Sequence, residues 1–508
     1  TEIPDETKKL IRKRCEKLMR KYGLTPQVSR GVEPGIYTYW IMHATDFLKE
    51  GGRLGMIISN TWLQTDYGIG FGNFLLDNFR IKAIIDFAAK LFKGALITTC
   101  IVLAERETDE DKRLENEVAF IHIPGEVESA DVERLLDAVT TGSSREYSVT
   151  LVKQGELPRD RKWIEMFFKT VDISEHPLMT KLGELFEPSY GNVTYLYLTS
   201  TGEISGVRNP GSSEFHYLSP SKIKEFNLDK WAYPEASLDD AIIYPAITSA
   251  RQTNFFTFTE EDWEELRKSD EKCYMFIGHA PREKLPKEVA EYIRWGETEC
   301  RTRLRGSRKG GRLASETESA RARAKEKRFY GWYDLGGVVP APILATYQAW
   351  YKTRFTLCRF PVTTYHALIA LVPKKNISLD DTQIKALLAF LNSSFTQAYI
   401  ETEGRKSPGG IIGFEINIAR EMPILDVRKL NDKQLNSLAK LFDELELEAR
   451  KIGGASTKEQ IEQLKPKIYE IDRAIAKILD LKDEDVKKVE AQVDLMVERR
   501  VSAAKGTR

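Results

Sequence analysis

Residues 37–106 read YTYWIMHATDFLKEGGRLGMIISNTWLQTDYGIGFGNFLLDNFRIKAIIDFAAKLFKGALITTCIVLAER, and the texture of this stretch decides the fold class. From Tyr37 to Lys49 apolar residues recur at helical spacing and stop at Gly51-Gly52, a helix-ending signal. RLGMIISN is then short and nearly continuous in apolar character, as expected of a strand buried on both faces. A second helix is predicted around Gly72–Phe79, IKAIIDF as another buried strand and TTCIVLAER as a third. This order, with short connections, points to an α/β domain around a mostly parallel sheet. EVAFIHI at 117–123 adds a candidate strand, and the mixed, charged stretch 125–180 reads as helical decoration leading to a boundary near residue 180.

Upstream, residues 1–23 alternate charged and apolar positions as a surface helix does, and a linker with Gly31, Pro34 and Gly35 follows. The chain opens on Thr1 rather than Met, which reads as a fragment or a processed chain. Downstream of 181 the composition shifts toward Tyr, Thr, Asn, Gly and Pro. Short candidate strands (VTYLYLT, DAIIYPAIT, KCYMFIG, HALIALVP) stand there between irregular loops. Residues 381–400 carry an amphipathic helical pattern, and from about 431 a charged, Leu/Ile-periodic tail broken by GGAS at 453–456 predicts a helical hairpin. The organisation expected is therefore three parts, 1–180, 181–430 and 431–508.

Bulk properties narrow the function classes. With 508 residues, 42% hydrophobic, the chain can bury more than one core, and no apolar run has the length of a membrane span or a signal peptide. Five scattered cysteines with no CxxC pair and six dispersed histidines argue for reduced thiols in a cytoplasm and against a metal site. Formal net charge is zero, yet between Arg301 and Arg328 eleven Lys or Arg face three Glu, a local balance of +8. That run, RTRLRGSRKGGRLASETESARARAKEKRFYGWYDL, alternates basic with small residues and ends in an aromatic cluster. It is the footprint of an arm that neutralises phosphates, with a solvated loop as the plainer alternative. Arg301, Arg303, Arg305, Arg308, Lys309 and Arg312 are the candidates for phosphate contact. Arg405-Lys406, opening the basic glycine turn RKSPGG, is a second candidate DNA contact. Tyr330, Trp332 and Tyr333 could pack on DNA or close the core.

The order of segments in 37–106 resembles the second half of a gamma-class adenine-N6 DNA methyltransferase: a Tyr-led helix, a KxGG turn, a strand ending in an NTWL-type segment, a DF strand, and a Phe-led hairpin into TCIVL. The pieces KCYMFIGHAPREKLP, KRFYGWYDL, ALLAFLNSSFTQAYIE and GGIIGFEINIAREMPI resemble, in the same order, the recognition region of large single-chain type IIG restriction–modification enzymes. The resemblance implies a partial Rossmann-like methyltransferase domain, a mixed α/β target-recognition domain and a C-terminal helical hairpin. It implies adenine-N6 methylation of double-stranded DNA with S-adenosylmethionine.

Such a reaction needs the target base extruded and held on an aromatic face. By the resemblance that face is Phe92, before the Lys93-Gly94 turn, although a Phe beside a glycine turn is ordinarily a packing residue. Tyr37 and Trp40 match helix residues that wall the pocket, with a core role as the competing reading. Asn60, with Thr61 and Trp62, follows a strand's C-terminal end, where open α/β sheets bind ligands, with capping of the next segment as the rival role for Asn60. Two elements of the family are missing: the glycine-rich turn that receives S-adenosylmethionine and an Asn-Pro-Pro-Tyr-type tetrapeptide. GIGFG at 68–72 lacks a strand–glycine–helix setting, and Asn209-Pro210-Gly211 reads as a turn. Only 36 residues precede Tyr37, so both elements are expected upstream of Thr1, on a methyltransferase segment that partners this chain. The alternative is a specificity subunit without activity that positions a separate methyltransferase or nuclease; an RNA-directed enzyme is a third reading.

Overall fold

In a computed structural model the described residues are 5–21, 36–87, 91, 99–123, 131–144, 147–167, 173–201, 211–302, 311–364, 368–407 and 409–505. The chain divides into two compact units. The first comprises Thr1–Val171, Ser407–Ile411 and Lys488–Arg508, and the second Asp172–Lys406 and Ile412–Lys487.

In the first unit the helices are α1 (Asp5–Lys21), α2 (Ile36–Thr45), α3 (Asp66–Asn78), α4 (Glu110–Leu114) and α5 (Asp131–Thr141). The strands are β1 (Arg53–Ser59), β2 (Phe79–Phe87), β3 (Thr99–Arg106), β4 (Glu117–Ile123) and β5 (Ser148–Lys153), in the spatial order β1-β3-β2-β4-β5. The domain is α/β, as its sequence implies, but the sheet is not mostly parallel. Of its neighbouring pairs only β2 and β4 are parallel, whereas β3 pairs antiparallel with both β1 and β2, and β5 antiparallel with β4. The topology explains this. β1 and β2 share a direction across an α3 crossover, and the chain then turns back so that β3 slots between them. Residues 148–153, expected within helical decoration, form the strand that closes the far edge.

The sheet's two faces bury separate clusters. Ile58, Trp62, Phe71, Phe74, Ile84, Val102 and Phe120 meet on one, and Ala83, Ile85, Phe87, Ile121 and Ala138 on the other. β1 departs from the expectation of burial on both faces: Leu54 and Ile58 are buried, while Ile57 is 50% exposed. Among the described residues β1 has a partner on one side only, so its second face is not covered as a central strand's would be.

Helix α3 begins at Asp66, earlier than expected, and takes in the whole GIGFG segment. A Cβ added at Gly68 would lie 1.6 Å from the Trp62 carbonyl oxygen, so glycine is needed here for close helix–turn packing.

Among the described residues the second unit's two largest sheets carry its core. One orders Thr257–Phe258, Phe355–Cys358, Ile343–Thr346, Leu368–Pro373 and Phe186–Ser189, and the other Thr363–Thr364, Ile243–Ile247, Tyr274–Phe276 and Tyr217–Leu218. Fully buried Trp263 and Tyr292 anchor its core; the Trp263 indole N–H donates to the Cys273 carbonyl (2.9 Å). Two expectations need correction. VTYLYLT forms the helix Thr194–Thr201, because the backbone N–H groups of Thr194 and Tyr195 bond the carbonyls of Gly337 and Leu335, and this tertiary pairing overrides strand propensity. The single helix over 381–400 is two, Asp381–Leu391 and Ser394–Glu403, broken where Asn392 exchanges hydrogen bonds with the Phe355 backbone and Ser393 caps the second helix. Asp432–Lys451 and Lys458–Ile478 pack as the expected hairpin, each started by a capping box (Asn431 with Gln434, Thr457 with Gln460). A third helix, Asp483–Lys505, follows, its residues from Lys488 on belonging to the first unit.

Gly68→Ala should lower the stability of the first unit by about 2 kcal/mol through overpacking, despite alanine's better helix propensity. Urea denaturation checks this, and a neutral or stabilising result would refute the close-packing account.

Candidate functional site

The sheet topology sends the C-terminal ends of β1, β2 and β4 to one edge. At that edge Asn60, just after β1, donates its side-chain amide to Asp86 Oδ1 (2.7 Å), and His122 Nδ1 lies 2.9 Å from Asp86 Oδ2. Asp86 and His122 are register partners on adjacent parallel strands. Asp86 and His122 are fully buried and Asn60 nearly so, so an ionised carboxylate here is sustained by the charge-assisted bonds it accepts. A carboxylate only accepts, so His122 carries its proton on Nδ1.

Asn60 therefore does not cap the next segment. Ser59 does, its hydroxyl accepting from the Thr61 N–H (3.3 Å). Tyr37, on α2, reaches the same turn: its hydroxyl lies 2.7 Å from that of Tyr67, and its ring meets Phe71 edge-on. Phe71 packs against Trp62, whose indole N–H donates to Cys100 Sγ (3.4 Å). Burial, reinforced by the Tyr67 hydrogen bond, pushes the Tyr37 phenol well above its ordinary range, so it acts as a neutral hydroxyl. Trp40 is not drawn into this network: it is 61% exposed, with a ring contact to His43. Phe92, Lys93 and Gly94 lie outside the described residues.

Sequence reasoning missed Asp86 and His122. Their signal was a lone acid and a lone imidazole inside apolar strands (IIDF, FIHI), where burial demands that each be partnered.

In the second unit, residues 300–302 and 311–314 zip together as the base of a hairpin. The Thr302 N–H bonds the Arg312 carbonyl, that of Gly311 the Thr302 carbonyl, and that of Ala314 the Cys300 carbonyl. Arg301 and Arg312 stand exposed on this base, and Arg301 Nη1 donates to the Gly311 carbonyl (3.1 Å). Arg303, Arg305, Arg308 and Lys309 fall on the connecting segment, outside the described residues. Not every cation of the basic run faces solvent. Arg323 is fully buried, donates to the Trp332 carbonyl and lies over the Tyr195 ring; burial pulls its guanidinium down to about 10. Trp332 and Tyr333 are buried too, whereas Tyr330 is exposed. Arg405 and Lys406 sit on the strand Arg405–Ser407, Arg405 71% exposed and 3.5 Å from the Glu415 carboxylate. Among the described residues no group of three His, Cys, Asp or Glu could hold a metal ion, and no helix is long and apolar enough to cross a membrane.

Residues 11–92, from within α1 past the end of β2, match the model of the Eco57I restriction-modification methylase family. The chain is 24% identical over 414 residues to Type II methyltransferase M.AccI of Acinetobacter calcoaceticus; the match takes in 80% of this chain and 65% of that protein. Among solved structures it is similar to the type IIG restriction endonuclease BpuSI (TM-score 0.39, 13% identity, 98% of this chain and 53% of that one). It is also similar to the Type IIL restriction-modification enzyme MmeI in complex with DNA (TM-score 0.44, 11% identity, 96% and 55%). The chain thus spans 65% of the length of the curated relative it matches. The family-model match and the methyltransferase likeness are in keeping with the resemblance drawn from the segment order.

Asp86→Ala should cost about 3 kcal/mol, because it strands the Asn60 amide and the His122 ring in an apolar interior. Chemical denaturation measures this; a loss under about 0.5 kcal/mol, within the range of an ordinary surface change, would show that the carboxylate does not organise the strand ends.

Proposed function

We propose that this restriction–modification methyltransferase-like chain supplies the base-handling and DNA-recognition parts of a site-specific adenine-N6 DNA methyltransferase. The observation that carries the reading is the convergence at one sheet edge. Asn60, Asp86 and His122 tie the ends of β1, β2 and β4 together there, beside Tyr37. Ligands of open α/β sheets bind at such strand ends.

In this reading Phe92 stacks on the extruded adenine. Asn60 is a positioning residue, since its amide is committed to Asp86 and almost no surface of it is exposed. Tyr37 offers a neutral hydroxyl at the turn, and Trp40 an exposed aromatic wall. Arg301, Arg303, Arg305, Arg308, Lys309 and Arg312, with Arg405 and Lys406, neutralise phosphates of double-stranded DNA.

The residues of this chain do not fit a complete S-adenosylmethionine site. GIGFG is embedded in α3, with Gly68 packed on the Trp62 carbonyl, and the sequence contains no Asn-Pro-Pro-Tyr-type tetrapeptide. Cofactor binding is assigned to a methyltransferase segment outside these 508 residues, joined upstream or supplied as a separate polypeptide.

Transfer of labelled methyl from S-adenosylmethionine to duplex DNA tests the reading, with this chain alone and then combined with a segment bearing both missing motifs. The expected result is transfer only from the combination, slowed roughly ten- to hundredfold by Phe92→Ala, as loss of base stacking implies. Transfer by the chain alone would overturn the division of labour. Absence of transfer from both would favour a specificity subunit without activity.

A further inference from the structure

Two stretches far apart in sequence, IGHAP at 277–281 and RFYGWYDL at 328–335, meet in the second unit around one buried carboxylate. Asp334 is fully buried and accepts hydrogen bonds from the backbone N–H groups of Tyr330 (2.8 Å) and Gly336 (2.6 Å). The clasp is fixed from both sides, since the Leu335 N–H bonds the Ile277 carbonyl and the Tyr333 hydroxyl bonds that of Ala280. Into this fixed carboxylate His279 directs Nδ1, 3.0 Å from each oxygen. Gly278 makes the turn that presents His279. Its φ is +61°, and a Cβ there would lie 2.4 Å from the Phe276 ring. The imidazole is 48% exposed, and the ring of Tyr330, itself 54% exposed, lies 5.1 Å away at 50°.

A carboxylate only accepts, so the His279 proton resides on Nδ1, and Nε2 is the remaining polar atom of a half-exposed ring. In the neutral imidazole Nε2 is an acceptor of fixed direction. Exposed Arg321, Lys325, Lys327 and Arg328 lie along the chain just before Tyr330, so the pair sits beside a cationic stretch. Phosphate neutralisation is a poor use for His279, because even the protonated ring with its ionised Asp334 carries no net charge. A rigid acceptor beside an exposed aromatic ring is suited instead to a base edge.

We propose that His279, oriented by Asp334 and flanked by Tyr330, is a base-reading residue that accepts a hydrogen bond from the exocyclic amino group of an adenine or cytosine in the major groove. Asp334 acts as a positioning residue. The proposal rests on the DNA-recognition reading above and adds to it a specificity-determining contact.

The test is selection of bound sequences from a random duplex library by the full chain, wild type against His279→Ala and Tyr330→Ala, with melting temperature and the salt dependence of affinity measured alongside. Wild type should enrich a motif. In His279→Ala the preference at one adenine- or cytosine-bearing base pair should fall roughly tenfold or more, the rest of the motif and the salt slope being kept. Tyr330→Ala leaves the Asp334 clasp in place and should blunt preference at the same or the adjacent base pair, which keeps the test decisive were His279→Ala to melt early. An unchanged motif in both variants would overturn the proposal. So would a uniform loss of affinity with the salt slope reduced by about one, the mark of a phosphate contact. Failure of wild type to enrich any sequence would instead sink the DNA-recognition reading itself.

Discussion

The Asp86 carboxylate, closed off from solvent at the end of β2, holds together the part of the first unit on which everything proposed for it depends. It draws Asn60 from the turn after β1 and His122 from β4, and so joins the ends of strands that β3 would otherwise separate or leave as neighbours only through backbone pairing. Partnered buried charge of this kind is directional. It tolerates one arrangement of the three strands and penalises register slips that an all-apolar edge would accept. The turn carrying Asn60 is in turn the floor on which α3 rests through Gly68, and the place that the Tyr37 hydroxyl reaches.

The second unit uses the same device for another purpose. Asp334 is as deeply buried as Asp86, but two of its bonds go to backbone and the third holds a half-exposed histidine at the surface. Arg323, from the same basic stretch, turns inward and braces the Trp332 carbonyl. Cations of one run are thus divided between scaffold and surface, and local charge alone does not tell which of them meets a partner.

Much of this was legible in the sequence. The strands RLGMIIS, IKAIIDF, TCIVLAER and EVAFIHI lie where their apolar runs place them, and the tail's helical pair follows its Leu/Ile period. Strand direction was not legible, because a buried strand's composition is the same whichever way its neighbour runs; the insertion of β3 between β1 and β2 is a property of topology. VTYLYLT misled for a related reason, since its β-branched and aromatic residues suit a strand, but with its first N–H groups bonded to Gly337 and Leu335 the segment winds into a helix. Asn60 and Tyr37 stood out through family resemblance, whereas Asp86, His122 and the His279–Asp334 pair emerged only when distant segments were brought together. Phe92, the residue to which the resemblance gives the most chemistry, lies outside the described residues.

The claim that this chain is built to hold DNA is tested most directly by equilibrium binding of the full chain to a labelled 30-base-pair duplex, without S-adenosylmethionine, across a range of salt concentrations. The account expects saturable binding at low salt, with log K falling linearly in log salt at a slope near −0.9 for each phosphate neutralised, several in all. No binding at low salt, or an affinity indifferent to salt, would contradict it.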